Sequence, residues 1–415
     1  MRKFSIKWLT PLILLLGCSF CKAQPLPVRQ KIHINREWQF ALGDQKDAQQ
    51  PAYSDKGWAN INLPHSFSTP YYGTGQWYTG FGWYRKYFDV PATWKGKRLF
   101  IEFEGAFRDA EVFVNGKAVG HHQSGYTGFS YDITDAIITG KNVLSVRLNN
   151  LWNAQLAPRD GDHNFCGGIY RDVYLVVTNP AHITWYGTFV STPVLSKAAG
   201  TVNIKTEITN NGTAPKTYLL KTSVMDPQGK SVDSFASSMK INAGATANFD
   251  QTGHAVTDPK LWHPNHPWMY TAMSDLYDGK TLVDHFETPF GFRWVEWTAD
   301  KGFFLNGEHY YFHGANVHQD HAGWASAVTN TGFARDIKMV KDAGFDFIRG
   351  SHYPHDPAFA EACDSLGVMF WSENNFWAAG NFAKEGSWYD RSGAYPINAP
   401  DQKPFEQSVI NSLTE

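Results

Sequence analysis

Amide, imidazole and carboxylate side chains recur in the last quarter of the sequence, each just after a short apolar run. These residues are Asn316, His318, His352 and Glu373. A neutral imidazole can donate a hydrogen bond to a hydroxyl group or to developing negative charge. A carboxylate can accept two hydroxyl hydrogen bonds at once. The pattern therefore indicates a polar binding or catalytic site, provided that the surrounding elements bring these residues together.

The sequence from 292 onward predicts strands that alternate with helices. The second predicted helix has Asp356 as its N-cap and Pro357 at its first position, and it ends at Gly367. Such repeats are typical of a parallel sheet, and the carboxyl ends of (β/α)₈ barrel strands carry catalytic residues. We therefore expect 292–415 to form the first part of a (β/α)₈ TIM barrel with the polar residues on its catalytic face. The predicted strands are 310–312, 345–348 and 368–371.

Two β modules are predicted before the barrel. In 28–180, short alternating strands are separated by Gly, Pro and Asn, and Asn115-Gly116 is a strong hairpin signal. This pattern favours a jelly-roll β-sandwich. In 182–291, alternation over 202–208 and recurring turn signals favour an immunoglobulin-like β-sandwich. The expected fold class is therefore multidomain β plus α/β.

Composition limits the classes of function. Lys plus Arg (37) do not outnumber Asp plus Glu (39), so the basic excess of a general nucleic-acid binder is absent from the sequence. Aromatic residues reach 15%, which suits β-sandwich cores and also the stacking of rings on sugar C–H faces. Beyond the first 23 residues only Cys166 and Cys363 remain, and we expect both to be buried small hydrophobic side chains.

The first 23 residues are predicted to be a signal peptide. Basic residues precede the apolar stretch 8–16, which is too short to span a bilayer. Cleavage before Gln24 is the favoured outcome, and a lipid anchor on Cys18 is the alternative. We therefore expect an exported protein, periplasmic or at the cell surface of a bacterium, without a transmembrane helix.

Histidines near the predicted strand ends leave a metal-dependent hydrolase as a minor alternative. Imidazoles are common metal ligands, but the spacings match no strong metal motif. The histidines concerned are His313, His318, His321, His352 and His355.

From residue 63 onward the chain resembles the family 2 glycoside hydrolases, which include β-galactosidases, β-glucuronidases and β-mannosidases. Each shared motif is short, but their joint order and spacing are specific. The resemblance implies a jelly roll, an immunoglobulin-like domain and a barrel, in that order. The most specific motifs are GGIYRDV at 167–173, GFR at 291–293, FLNG at 304–307, GANVH at 314–318 and RGSHYP at 349–354.

The resemblance also implies roles for individual residues. Asp162 and His352 match sugar-binding positions of the family, Asn316 and His318 match positions near the pocket, and Glu373 matches a carboxylate after the third barrel strand. The implied partner is a glycoside or oligosaccharide. No cofactor is implied with certainty, although a divalent or sodium ion is possible by resemblance. The oligomeric state stays open.

The expected activity is hydrolysis of terminal β-linked sugars by a retaining mechanism in carbohydrate catabolism, with a β-galactoside as the favoured substrate. Retaining hydrolysis needs two carboxylates, and the family places its acid/base in an Asn-Glu pair that this sequence does not contain. We therefore expect the acid/base and nucleophile to lie beyond Glu415 and the chain itself to be inactive. β-Glucuronidase or β-mannosidase activity and a non-catalytic carbohydrate-binding fragment are the alternatives. Ala379-Gly380 stands where several β-galactosidases have His-Gly, which weakens the galactosidase assignment.

Overall fold

A computed structural model describes residues 28–69, 78–158, 166–376, 396 and 399–415. Two β-sandwiches are followed by strands and helices of a parallel α/β unit, which is the predicted fold class. In the parts that the structure describes, no helix combines the length and apolar character needed to cross a bilayer. The predicted signal peptide, Cys18 and Asp162 lie outside the described residues.

The first sandwich packs a four-stranded antiparallel sheet, β1-β10-β5-β8, on a six-stranded one, β3-β2-β4-β9-β6-β7. Alternating side chains of both sheets, Val112 and Val146 among them, are fully buried between the layers. The predicted hairpin is confirmed: Asn115 and Gly116 both have positive φ, as a two-residue turn of this kind requires. The strands are β1 Gln30–His33, β2 Trp38–Leu42, β3 Ala59–Ile61, β4 Phe81–Val90, β5 Arg98–Phe103, β6 Asp109–Val114, β7 Lys117–His122, β8 Phe129–Asp132, β9 Gly140–Asn149 and β10 Val173–Thr178.

The second sandwich has sheets β11-β12-β15 and β14-β13-β16-β17. Val202, Ile204 and Ile208 point into the core as their alternation predicts. A bidentate contact joins the two sandwiches: Arg29, just before β1, donates to Asp284 in β17 at 3.0 and 2.7 Å. The strands are β11 Ala181–Leu195, β12 Ala199–Asn210, β13 Lys216–Met225, β14 Ser231–Ile241, β15 Ala245–Thr257, β16 Tyr270–Asp278 and β17 Thr281–Phe290.

A small antiparallel sheet, β18-β19-β20, leads into the parallel sheet β21-β22-β23. Helices α1 and α2 cover one face of the parallel sheet through Phe333, Ile337 and Phe359, which are buried against Ile348. The elements are β18 Val295–Thr298, β19 Gly302–Leu305, β20 Glu308–His309, β21 Gly314–Val317, α1 Asn330–Asp342, β22 Phe347–Gly350, α2 Pro357–Leu366, β23 Met369–Ser372 and α3 Ala399–Thr414.

The predicted ends of α2 are confirmed. The Asp356 side chain accepts a hydrogen bond from the Ala358 N–H at 2.8 Å, and Gly367 closes the helix at φ 75°. Both are local signals, since an N-cap carboxylate satisfies a free N–H and glycine tolerates the left-handed conformation.

The strand predicted at 310–312 is wrong. The first parallel strand is β21, Gly314–Val317, so Asn316 lies within it rather than after it. The apolar residues 310–312 contribute to a hydrophobic cluster rather than to the parallel sheet. Phe312 packs on Phe303, with ring centroids 4.4 Å apart, in a cluster that includes Trp262. This cluster fills the space between the second sandwich and the amino ends of β22 and β23.

Helix α3 packs against the first sandwich. Ser412 Oγ lies 3.2 Å from Ser124 Oγ, and a Glu415 carboxylate oxygen lies 3.1 Å from Nε2 of His122. The Ala157 N–H donates to Ser408 Oγ at 3.0 Å. Val409 and Leu413 of α3 line a depression together with Arg349 and Trp371, so α3 also lies beside the carboxyl ends of the parallel strands and forms one wall of the site described next.

Candidate active site

The three parallel strands end at one edge and bring the predicted polar residues together. Asn316, Arg349 and Trp371 are neighbours in register across β21, β22 and β23. His352 follows β22 by two residues, and Glu373 directly follows β23. The strand order therefore places an amide, a guanidinium, an imidazole and a carboxylate at the same end of the sheet.

An ion pair between Arg349 and Glu373 organises this edge. The Arg349 Nε and Nη2 atoms donate to the two Glu373 oxygens at 2.7 and 3.0 Å, the bidentate geometry that fixes both side chains. Arg349 Nη1 also lies 3.5 Å from Asn316 Oδ1. Arg349 is a candidate site residue that the sequence analysis did not single out, although it stands first in the RGSHYP motif.

His352 is oriented by the same pair. Its Nδ1 atom lies 2.9 Å from Arg349 Nη2 and 3.3 Å from a Glu373 oxygen. The guanidinium and the carboxylate therefore both contact the same ring nitrogen and fix the orientation of the imidazole.

His318 belongs to a neighbouring contact. Its ring lies 5.4 Å from the His352 ring, and its Nδ1 atom lies 3.2 Å from the Tyr353 hydroxyl. The Tyr353 hydroxyl also accepts from the Gln319 N–H at 3.3 Å. His318 is therefore close to the site but is tied to the loop that carries His352.

A depression of about 480 Å³ opens beside Arg349 and Glu373. Trp371 and Phe376 contribute half-exposed aromatic rings to it, and α3 contributes Leu413. Aromatic faces beside hydrogen-bonding groups suit a ligand that has C–H surfaces and hydroxyl groups together.

The first sandwich braces the loop that carries His352. The Tyr126 ring stacks on the Tyr353 ring, with centroids 4.2 Å apart and planes 5° apart. Arg171, almost fully buried, donates to the Pro354 carbonyl at 2.7 Å and to Gln319 Oε1 at 3.0 Å. Arg171 lies in the GGIYRDV motif, which the sequence linked to the fold but not to this contact.

The brace also contains buried acid groups. Arg171 Nε lies 3.7 Å from Asp356 Oδ2, and both side chains are nearly inaccessible to solvent. Burial raises the pKa of Asp356, and the Arg171 charge opposes that rise. Burial, with Asp356 and Asp172 nearby, raises the pKa of Glu104 to about 8.

The predicted histidines do not form a metal site in the described part of the chain. His321 pairs with Asp336 at 2.5 Å, and both ring nitrogens of His355 contact backbone carbonyls. His313 lies 3.9 Å from Asp346. Over the described residues, no group of three or more His, Cys, Asp or Glu side chains is arranged to hold a metal ion.

Cys166 and Cys363, the two cysteines within the described residues, are buried and are not bonded to each other. Burial raises the pKa of the Cys166 thiol to about 12 and also raises that of Cys363. A thiolate nucleophile is therefore disfavoured at both positions.

Three models of one family match the chain in order. The "Glycosyl hydrolases family 2, sugar binding domain" model matches 30–180, "Glycosyl hydrolases family 2" matches 181–293, and "Glycosyl hydrolases family 2, TIM barrel domain" matches 297–413. These three matches follow the two sandwiches and the parallel unit.

Individual relatives agree with the models. A β-galactosidase of Bacteroides ovatus is 32% identical over 83% of this chain, and a β-glucuronidase of Bacteroides fragilis is 32% identical over 86%. The chain spans 41% and 51% of these two relatives. The crystal structure of a Bacteroides uniformis β-glucuronidase superposes with a TM-score of 0.81 at 35% identity, over 84% of this chain and 42% of that one. The chain therefore belongs to the family 2 glycoside hydrolases.

Proposed function

We propose that the depression beside Glu373 binds the terminal sugar of a β-linked glycoside, at a site that serves hydrolysis with retention when the family's acid/base is supplied. The cluster of Arg349, His352 and Glu373 at the carboxyl ends of the parallel strands carries the proposal. In it, Glu373 supplies acceptors and Trp371 an aromatic face in the wall of the depression, and the His352 imidazole beside them is proposed to hydrogen-bond a sugar hydroxyl. Asn316 and His318 hold the neighbouring positions, and Asp162 is proposed to reach the same sugar.

The charge balance of the depression favours a neutral sugar, with a β-galactoside first. A glucuronide carboxylate needs a cationic partner. Among the described residues that line the depression the one cation is Arg349, and both Glu373 oxygens already accept from it. A β-glucuronide is the second candidate, because relatives of both names match the chain.

Binding to the purified 415-residue chain tests the sugar. Isopropyl β-D-thiogalactoside and phenyl β-D-thioglucuronide resist hydrolysis, so calorimetry can compare their affinities directly. We expect the thiogalactoside to bind more tightly and His352→Ala to weaken it about tenfold or more, the loss of one good hydrogen bond. His313→Ala is the matched control, because His313 is exposed and precedes β21, whereas His352 follows β22 at the opposite end of the parallel strands. Preference for the thioglucuronide would replace the galactoside assignment.

Turnover by the same chain tests the catalytic groups. We expect no measurable release of nitrophenol from 4-nitrophenyl β-galactoside, because the sequence contains no Asn-Glu pair to supply the family's acid/base. General acid–base catalysis is worth about 10²–10⁴-fold, and positioning groups do not replace it. Turnover that Glu373→Gln abolishes would contradict this and give Glu373 a catalytic role. Any turnover by the whole protein should release the β anomer first, as proton NMR would detect.

We also propose that the protein is exported, on the basis of the basic and apolar pattern of residues 1–23. Mass spectrometry of the mature protein distinguishes a new amino terminus at Gln24 from a lipid-modified Cys18. A Cys18→Ser variant should leave the first outcome unchanged and abolish the second.

A further inference from the structure

A groove runs between the two sandwiches, away from the depression at Glu373. Two cavities of about 240 and 290 Å³ share Trp185, Arg29 and Glu102 as lining residues. Together they reach the size of small-ligand sites, about 300–1,000 Å³. Neither cavity shares a lining residue with the depression at Glu373.

A bulge in β11 presents aromatic rings to this groove. The pairing of β11 with β12 shifts between Ile183 and Thr188, and within the bulge Tyr186 has φ +48°. The Trp185 and Tyr186 rings lie 4.7 Å apart at 57°. Tyr186 is 62% exposed, so its ring is accessible to a ligand. Bulges of this kind commonly re-aim side chains at functional sites.

The polar wall offers both donors and acceptors. Lys31 pairs with Glu102 at 3.5 Å, and Arg29 is held by Asp284. These pairs balance the two cations within the wall. Glu104 lines the second cavity as well, and its raised pKa keeps its carboxyl protonated at neutral pH. A protonated carboxyl can donate one hydrogen bond and accept others.

These features fit a neutral ligand rich in hydroxyl groups. An anion would meet Glu102, Glu287 and Glu361 in the wall of the second cavity. A hydroxyl group can donate to these carboxylates and accept from Lys31 or Glu104, while the C–H face of a sugar ring covers Trp185 or Tyr186. Both cavities are lined by Trp185, so consecutive sugar units could occupy the two cavities and share contact with this residue.

We propose that the groove around Trp185 binds a β-linked oligosaccharide at a second carbohydrate site. The choice of sugar rests on the proposed function, whereas the existence of a second site rests on the groove alone. The site would hold a longer chain on the protein while its terminal unit is cleaved elsewhere.

Calorimetry of the full 415-residue chain with β-1,4-galactotetraose tests the proposal, with the thiogalactoside as a probe of the depression alone. We expect two tetrasaccharide sites in the unmodified chain and one in Trp185→Ala, with partial retention in Trp185→Phe. Loss of the groove site means an affinity reduced about tenfold or more, the scale of one aromatic contact. Trp268→Ala is the matched control, because Trp268 is partly exposed and lines neither cavity.

The failures of the two proposals look different. One site in the unmodified chain, or two sites that persist in Trp185→Ala, would overturn the groove proposal. Two tetrasaccharide sites that persist in His352→Ala would instead overturn the depression as a sugar site. If the polycation spermidine bound at Trp185 and the tetrasaccharide did not, the proposal of a neutral ligand rich in hydroxyl groups would be overturned. A thermal unfolding curve for each variant keeps loss of binding separate from loss of fold.

Discussion

Replacing Arg171 with methionine should loosen the loop that carries His352. The Arg171 guanidinium donates to carbonyls of both domains, Tyr126 O at 2.9 Å and Pro354 O at 2.7 Å, and to Gln319 Oε1. Methionine fills a similar volume but donates nothing. The substitution also leaves the Asp356 carboxylate buried beside an uncharged side chain.

The size of the effect follows from these contacts. Removing one partner of a buried ion pair costs about 3–5 kcal/mol, and hydrogen bonds from charged donors are worth about 1.5–3 kcal/mol each. Such losses overlap, so we expect about 3–5 kcal/mol in total rather than their sum. Asp356→Asn in the Arg171→Met background should recover part of this loss. The amide removes the buried charge and can still accept from the Ala358 N–H as an N-cap.

Two measurements test whether the loop that carries His352 is loosened: hydrogen exchange of the backbone amides in 351–356 and the affinity for the thiogalactoside. Arg171→Met should speed hydrogen exchange in this loop and weaken thiogalactoside binding about tenfold or more. The loss of a surface ion pair should have a smaller effect, because such a pair contributes about 1 kcal/mol or less to stability. Arg98→Met is therefore the control, since its pair with Asp132 is partly exposed. The reasoning about the brace would be refuted if Arg171→Met changed loop exchange and thiogalactoside affinity no more than Arg98→Met does. It would also be refuted if adding Asp356→Asn to Arg171→Met lowered the stability further.

Three further predictions follow from the same region. Tyr126→Phe should keep the stack on Tyr353 and change the free energy of unfolding little, because the buried Tyr126 hydroxyl has no hydrogen-bond partner among the described residues. Tyr126→Leu should lower the free energy of unfolding by about 1–3 kcal/mol. The folded-state pKa of Glu104 is about 8 against an ordinary 4.5, so the folded chain binds an extra proton between these values. Its stability should fall as pH rises from about 4.5 to 8, and Glu104→Gln should flatten that slope in thermal scans. Glu373→Gln should weaken thiogalactoside binding about tenfold in calorimetry, because Arg349 loses its bidentate carboxylate.

Local signals predicted the elements well. Asp356 and Gly367 marked both ends of α2, and Asn115-Gly116 marked a hairpin, because each acts through neighbouring backbone groups. The strand predicted at 310–312 failed for the converse reason. Phe312 packs against the rings of Phe303 and Phe347 and is not part of a strand. A short apolar run in the sequence does not distinguish such ring packing from a buried strand.

The site was predicted only in part. His352 and Glu373 were found because they follow strands in a recognisable motif, and the structure brings them within 3.3 Å. The role of Arg171 could not be found in this way, because its partners lie 148 and 183 residues further along the chain. The Trp185 groove depends on a bulge, which is a property of strand register rather than of local sequence.

The closure of the first sandwich by its own ends has a consequence for how the chain folds. Among the described strands β1 pairs with β10 alone, with Gln30 opposite Val177, and Arg29 contacts Asp284 in β17. During synthesis, β1 therefore has no sheet partner until nearly 150 further residues have been made, and its link to the second sandwich forms about 100 residues later still. Non-local pairing of this kind is slow and leaves strand edges open. The first and last strands of the sandwich should thus be the last to gain protection in a nascent chain, with the Arg29 contact completing the assembly of the two sandwiches.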